Sequence, residues 1–350
     1  MRDDPNLRGQ AVAVGGNKER RGVIATCNYE ARKFGVHSAM STAQAFRLCP
    51  DLIVIPPNME KYIEVSRRMR DIFYDYTDLI EPLSLDEAFL DVSDCENHKG
   101  SATLIAEEIR ARIYQNLQIT VSAGVSNSKF LAKIASDINK PDGIFVIPPS
   151  DVENFVLKLP IGKIFGVGKV TQAKMHNMNI NTCADLRSIS IFDLSTQFGS
   201  HGKQLYELCR GIDNRAVEPK RKRKSISVEH TFPADLDSTT LCLAKVPGLF
   251  VDLKSRLNRL SSFQRTTKVF AKVKFNDFTT TTIERTGKSP SASEYLDLIT
   301  DAVQRKNLPV RLLGIGVRFV DEREENKAIQ LELFEKFPEL MPEYEKNKKI

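Results

Sequence analysis

The sequence predicts a multi-domain α+β protein, and three observations carry that expectation. The chain has 350 residues, 41% of them hydrophobic, which is more than a single core usually organises. Its apolar pattern changes along the length. Strands and helices alternate over residues 83–147, helices alone fill 151–211, and strands return after 226. The charge is also uneven. The net +6 comes from 51 Lys+Arg against 45 Asp+Glu, yet residues 221–320 hold 18 basic and 9 acidic side chains, residues 321–350 hold 6 and 9, and the rest balances at 27 and 27. A basic segment of that kind suggests a polyanion-binding module on a neutral body, with an idle basic surface as the alternative.

The elements follow in order. Leu83–Val92 reads as two short strand pieces meeting at Asp86-Glu87. Ser101–Leu117 opens with a Ser cap before apolar residues at helical spacing. Ile119–Val125 alternates as a strand, Ser126–Ile138 is a helix capped by Ser or Asn, and Gly143–Ile147 is a strand closed by Pro148-Pro149. This order points to an α/β or α+β layer. Short helices follow from Asp151 to Gly211, and Arg215–Lys224, ending Lys220-Arg221-Lys222-Arg223-Lys224, is a polar linker. Beyond it come a strand (227–232), a helix (241–260), two strands (268–278 and 280–285), a helix (292–305) and a strand (311–320). That succession fits an α+β sandwich with its helices on one face. The tail from Asp321 is acidic.

Composition excludes several classes. No apolar run approaches the roughly 18 to 20 residues of a membrane span, and Met1-Arg2-Asp3-Asp4-Pro5 has no secretory character. The six Cys form no C-x-x-C pair and the five His show no metal spacing, so a zinc finger or disulfide scaffold is excluded and a reducing cytosol is the expected setting.

Four motifs carry chemistry. Asp86-Glu87 sets two carboxylates in an apolar strand pair, costly to bury without a cation. Adjacent strand residues face opposite ways, so both reach one site only at a bend. Such hard oxygen donors suit two Mg²⁺ ions clamping a phosphoryl displacement, and a hairpin turn with exposed acids is the bland alternative. Gly166-Val167-Gly168-Lys169, between two short helices, suits a helix-hairpin-helix whose backbone N–H groups approach a phosphate. A plain αα-hairpin is the alternative. A P-loop fails, because Lys163 and Val170 stand where Gly and Ser/Thr are required. Tyr29 and Arg32, after Thr26, share a helix face able to grip a triphosphate or merely solvated. Lys140 is open between turn lysine and phosphate ligand. Gln330, Leu331, Leu333 and Phe334 form an apolar cluster in the acidic tail, suited to docking on a partner or to folding back as a strand.

Taken together, these residues resemble the Y-family of DNA polymerases, of the bacterial DNA polymerase IV type. The likeness covers nearly the whole chain and is most specific over Arg20–Ile24 through Met40, Glu81–Ala88 and Lys129–Ser136. The resemblance implies a right-hand polymerase with fingers at 1–59, palm at 60–148, helical thumb at 149–217, basic linker at 218–225, little finger at 226–320 and acidic tail at 321–350. It implies that Asp86 ligates both metals and Glu87 the catalytic one. Thr26, Tyr29, Arg32 and Lys140 bind the incoming dNTP. Gly166, Val167, Gly168, Lys169, Lys222, Arg223 and Lys224 contact primer-template DNA, and Gln330, Leu331, Leu333 and Phe334 bind the replication sliding clamp (the β clamp). The expected protein is a monomeric, cytoplasmic bacterial translesion polymerase using two Mg²⁺.

In that family the first palm strand, with the first metal-binding Asp and the aromatic steric gate, lies upstream of the methionine matching Met1. A misassigned start is the favoured expectation, and Asp3 and Asp4 do not take the role. Without that Asp, a catalytically crippled DNA- and clamp-binding protein is the alternative. A metal-dependent nuclease is a further rival, but it leaves Tyr29, Arg32 and the tail motif unexplained. Phe165 stands where the hairpin commonly has Pro, and 16 residues trail the tail motif.

Overall fold

The computed structural model describes residues 2–220, 222–260, 265–287 and 290–320. They fall into two compact units, one of residues 2–6 with 58–220, the other of residues 7–57 with the described residues of 222–320.

The second unit opens with three strands, β1 (Val12–Gly15), β2 (Ile24–Cys27) and β3 (Ile53–Ile55), in the order β2-β1-β3, with β2 antiparallel and β3 parallel to β1. Ala13, Ile24, Cys27, Ala31 and Ala45 close a small core beneath it.

In the first unit, β4 (Ile80–Pro82) and β5 (Ala88–Leu90) form an antiparallel hairpin, while β6 (Ala123–Ser126) and β7 (Ile144–Ile147) pair in parallel. Among the described residues these are two separate two-stranded sheets rather than one layer. Helix Ala102–Leu117 begins where expected, the Ser101 hydroxyl accepting from the Leu104 N–H. Its stripe of Ile105, Ile109, Ile113 and Leu117 packs on Met69, Ile72 and Phe73 of helix Met59–Tyr74. Burying each such side chain contributes about 1.5–3 kcal/mol. The strand expected from Ile119 is confined to β6, and the following helix starts at Lys129 rather than Ser126. Phe130, Leu131, Ile134 and Ala135 of that helix share one core with the helical region 152–209, including Val156, Met175, Leu186 and Leu205.

The second unit resumes with β8 (Ser225–Leu236), β9 (Thr266–Phe275), β10 (Thr280–Thr286) and β11 (Val310–Phe319), an antiparallel sheet in the order β10-β9-β11-β8. Pro233 sits on β8, an edge strand, where a missing N–H is tolerated. Val269, Ala271, Val273 and Phe275 alternate inward against Leu249, Leu253, Leu298 and Ile299 of helices Val246–Asn258 and Ala292–Gln304. The single helix expected over 241–260 is instead two, Thr239–Leu243 and Val246–Asn258. Pro247 lacks the N–H an unbroken helix needs and starts a new one.

Candidate functional site

The two adjacent carboxylates lie at the closed end of the β4–β5 hairpin. The first strand ends at Pro82, not at Leu85, so residues 83–87 are turn. The Glu87 carbonyl accepts from the N–H groups of Leu83 (2.9 Å) and Ser84 (3.3 Å), which uses the turn's backbone groups locally. Ser84 Oγ donates to Asp86 Oδ1 at 2.5 Å. Here, off the pleat, neighbouring side chains need not diverge. Asp86 is exposed and Glu87 half-buried.

Helix Lys129–Ile138 addresses the hairpin with two lysines one turn apart. Lys129 Nζ contacts Glu81 on β4, donates to the Ala216 carbonyl at 3.0 Å and lies 5.3 Å from the Phe89 ring centroid. Lys133 Nζ donates to Glu87 Oε1 at 2.8 Å. Glu81 also accepts from the Glu218 N–H at 2.8 Å. Burial pushes its carboxyl upward, but the bonds from Glu218 and Lys129 outweigh that and leave it below the usual range. Asp213, 2% exposed, accepts from the Phe130 N–H at 2.9 Å and from both arms of the Arg215 guanidinium at 2.6 and 2.9 Å. Burial again raises its carboxyl and the Arg215 and Phe130 bonds lower it further, for a net depression. Residues 213–218 are thereby tied to the start of helix Lys129–Ile138 and to Glu81 of β4.

In the other unit, Asn28 caps the short helix Tyr29–Arg32. Its Oδ1 accepts from Ala31 and from Val12 of β1, each at 3.0 Å, fixing the helix start to the sheet. Tyr29 and Arg32 share a face as expected, the guanidinium 5.8 Å from the ring centroid, and both are exposed, as is Thr26. Lys140, in the first unit, is exposed and ion-paired with Asp137 at 2.5 Å. Asp3 is paired with Arg2 and Lys61, which hold its carboxyl down to about 2.

The Gly-Val-Gly segment joins a one-turn helix, Ile161–Lys163, to helix Lys169–Asn177. Val167 is buried and anchors the loop, while Gly166, Gly168 and Lys169 are exposed. Gly166 has φ +92°, where a side chain would be strained, and a Cβ at Gly168 would meet nothing within 4 Å, leaving open backbone for close approach. Phe165 is solvent-exposed beside it. Lys222, Arg223 and Lys224 are exposed in the segment leading into β8. Gln330, Leu331, Leu333 and Phe334 lie outside the described residues.

Among the described residues no group of three or more His, Cys, Asp and Glu is poised to hold a metal ion. Asp86 and Glu87 nevertheless fit Mg²⁺ in kind, since that ion is commonly held by one or two carboxylates with substrate phosphates and water completing its shell. Sequence reading missed Glu81, Lys129, Lys133, Asp213 and Arg215 as parts of this region. The Lys129–Lys133 spacing was visible, but the partners lie 48 and 46 residues away.

Three family models match successive parts of the chain. Residues 1–137 match the impB/mucB/samB family, 162–213 the thumb domain of DNA polymerase-iota, and 223–333 the impB/mucB/samB family C-terminal domain. The chain is 55% identical to DNA polymerase IV of Pseudomonas syringae pv. tomato over 334 residues, covering 95% of this chain and 94% of that protein. It is 54% identical to DNA polymerase IV of Ectopseudomonas mendocina over the same shares. Among solved structures, a Y-family DNA polymerase chimera matches with a TM-score of 0.81 at 26% identity, covering 90% of this chain and 93% of that one. An insertion ternary complex of Dbh DNA polymerase matches with a TM-score of 0.62 at 26% identity, over 91% and 94%.

Proposed function

The chain belongs to the Y-family of DNA polymerases, in its DNA polymerase IV group, and from that premise we propose a residue-level mechanism for template-directed, translesion nucleotide addition. The observation that carries it is the placing of Asp86 and Glu87 together on the β4–β5 turn, with Ser84 and Lys133 holding one carboxylate each.

In this reading the primer 3′-hydroxyl gives up its proton to water, its oxygen bonds to the α-phosphorus of a dNTP, the bond from that phosphorus to the bridging oxygen of the β-phosphate breaks, and pyrophosphate leaves. Asp86 and Glu87 would hold the Mg²⁺ ions, and the charge neutralisation such ions supply would favour the displacement. Asp86, with no ion-pair partner among the described residues, is the carboxylate that would be free to ligate them. Thr26, Tyr29 and Arg32 offer hydroxyl, phenol and guanidinium to the triphosphate, and Lys140 a further cation. The exposed backbone at Gly166–Lys169 and the cations Lys222, Arg223 and Lys224 hold primer-template DNA through its phosphates, without reading sequence. Gln330, Leu331, Leu333 and Phe334 dock on the sliding clamp. The protein works as a monomer in the bacterial cytoplasm. Among the described residues no helix is long and apolar enough to cross a membrane.

The test is single-nucleotide incorporation on primed DNA with Mg²⁺. Asp86→Ala is expected to lower the single-turnover rate by at least about 10³-fold, several kcal/mol of transition-state stabilisation, with DNA affinity unchanged. Undiminished incorporation by Asp86→Ala removes the metal assignment. No incorporation by the wild type, with DNA still bound, leaves a DNA-binding protein.

A further inference from the structure

Lys129 and Lys133 lie on one helix face, yet their surroundings differ. The Lys129 side chain is 11% exposed and satisfied by a glutamate, a carbonyl and an aromatic face. The Lys133 side chain is 25% exposed, and its one charged partner among the described residues is Glu87, itself 42% exposed. A half-solvated single pair of this kind is weakly held. It is also made by the carboxylate that the preceding reading gives to the metal.

We propose that Lys133 is the resident counter-ion of Glu87, occupying Oε1 when no divalent ion is bound and displaced when one arrives. The inference rests on the reading of Glu87 as a metal ligand. Two cations compete for the same oxygens, and the ammonium must leave, or stand against the ion's charge, before coordination is complete. The lysine keeps the two adjacent carboxylates from standing unneutralised side by side. It does so at the cost of weaker metal affinity. Lys129, bound to Glu81, is fixed structure and takes no part in the exchange.

The experiment measures Mn²⁺ binding to the full chain, without DNA or nucleotide, by electron paramagnetic resonance of the free ion. Lys133→Met keeps the apolar stem and removes the charge. It is expected to bind Mn²⁺ about three- to fivefold more tightly than wild type, the size of a partly solvated ion pair. Lys133→Arg keeps a cation and is expected to bind as wild type does. In Glu87→Gln, adding Lys133→Met is expected to make no further difference. Equal Mn²⁺ affinity in wild type and Lys133→Met, with Glu87→Gln still weakening binding, overturns the counter-ion proposal while leaving the metal site standing. Binding unaffected by Glu87→Gln overturns both. A lowered melting temperature in Lys133→Met with unchanged affinity makes the lysine structural, like Lys129, and also overturns it.

Discussion

At the start of helix Lys129–Ile138, and on the open face of the β8–β11 sheet, carboxylates meet cations in similar pairings with different surroundings. Near the helix start, Glu81 and Asp213 have side chains 17% and 2% exposed, and each also accepts a backbone N–H. On the sheet, Glu284 contacts Arg318 and Lys268, and Glu229 holds Lys272 at 2.9 Å. There the lysines alternate along β9 with the buried Val269, Ala271 and Val273, so they stand on the face away from the helices. The first set ties distant segments of chain to one another. The second holds a basic surface partly neutralised. Burial and backbone acceptors, more than the presence of an ion pair, separate a structural charge from one available to a ligand.

The sharpest way to break that contrast is at Glu81. Glu81→Ala leaves Lys129 nearly buried without its carboxylate and the Glu218 N–H without its acceptor. It is expected to cost about 3 kcal/mol, read as a lower chemical-denaturation midpoint. A loss no larger than that of a surface pair would place Glu81 with the sheet residues.

Asp213 gives a pH test of the same claim. Its folded pKa lies below the ordinary 3.8, so its ionised form stabilises the fold above about that pH. The contribution is lost as pH falls through the depressed folded value. Asp213→Asn is expected to be about 2 kcal/mol less stable than wild type at pH 7. The gap should close as the pH drops below 3.8. A gap independent of pH would assign the effect to packing or hydrogen-bond geometry.

How much of this was legible in the sequence depended on the range of the interaction. Asp86-Glu87, Gly166-Val167-Gly168 and the Tyr29/Arg32 face are local patterns, and each lies on a turn, loop or helix as its residue types require. Ser101 announced its helix because a cap acts within three residues. Pro247 was an equally local signal for two helices, overridden by an apolar periodicity that runs through it. The exchange of partners between Lys129, Glu81, Asp213 and Phe130 spans up to 83 residues and leaves no periodic trace. Nor could the chain report that Lys133 faces Glu87, since helix spacing gives a shared face but not what stands opposite.

The smallest expected effect falls on the sheet. Glu284 is held by Arg318 and Lys268 and its carboxyl lies below the usual range, chiefly through the Arg318 bond. Replacing Glu284 with Gln removes one negative charge from a face expected to meet phosphates and leaves its two cations without their carboxylate. Stability is expected to move by less than about 0.5 kcal/mol, because partly solvated pairs contribute little. DNA affinity at low salt is expected to rise about two- to threefold. The dependence of log affinity on log salt should steepen by up to about one phosphate's worth of released counter-ion. Measured by fluorescence anisotropy on primed DNA across a salt series, that pattern would set the sheet charges apart from the Glu81 and Asp213 network. A destabilised variant with unchanged DNA binding would place Glu284 in the same structural class as Glu81, and the division by burial would fail at the residue where it is most easily measured.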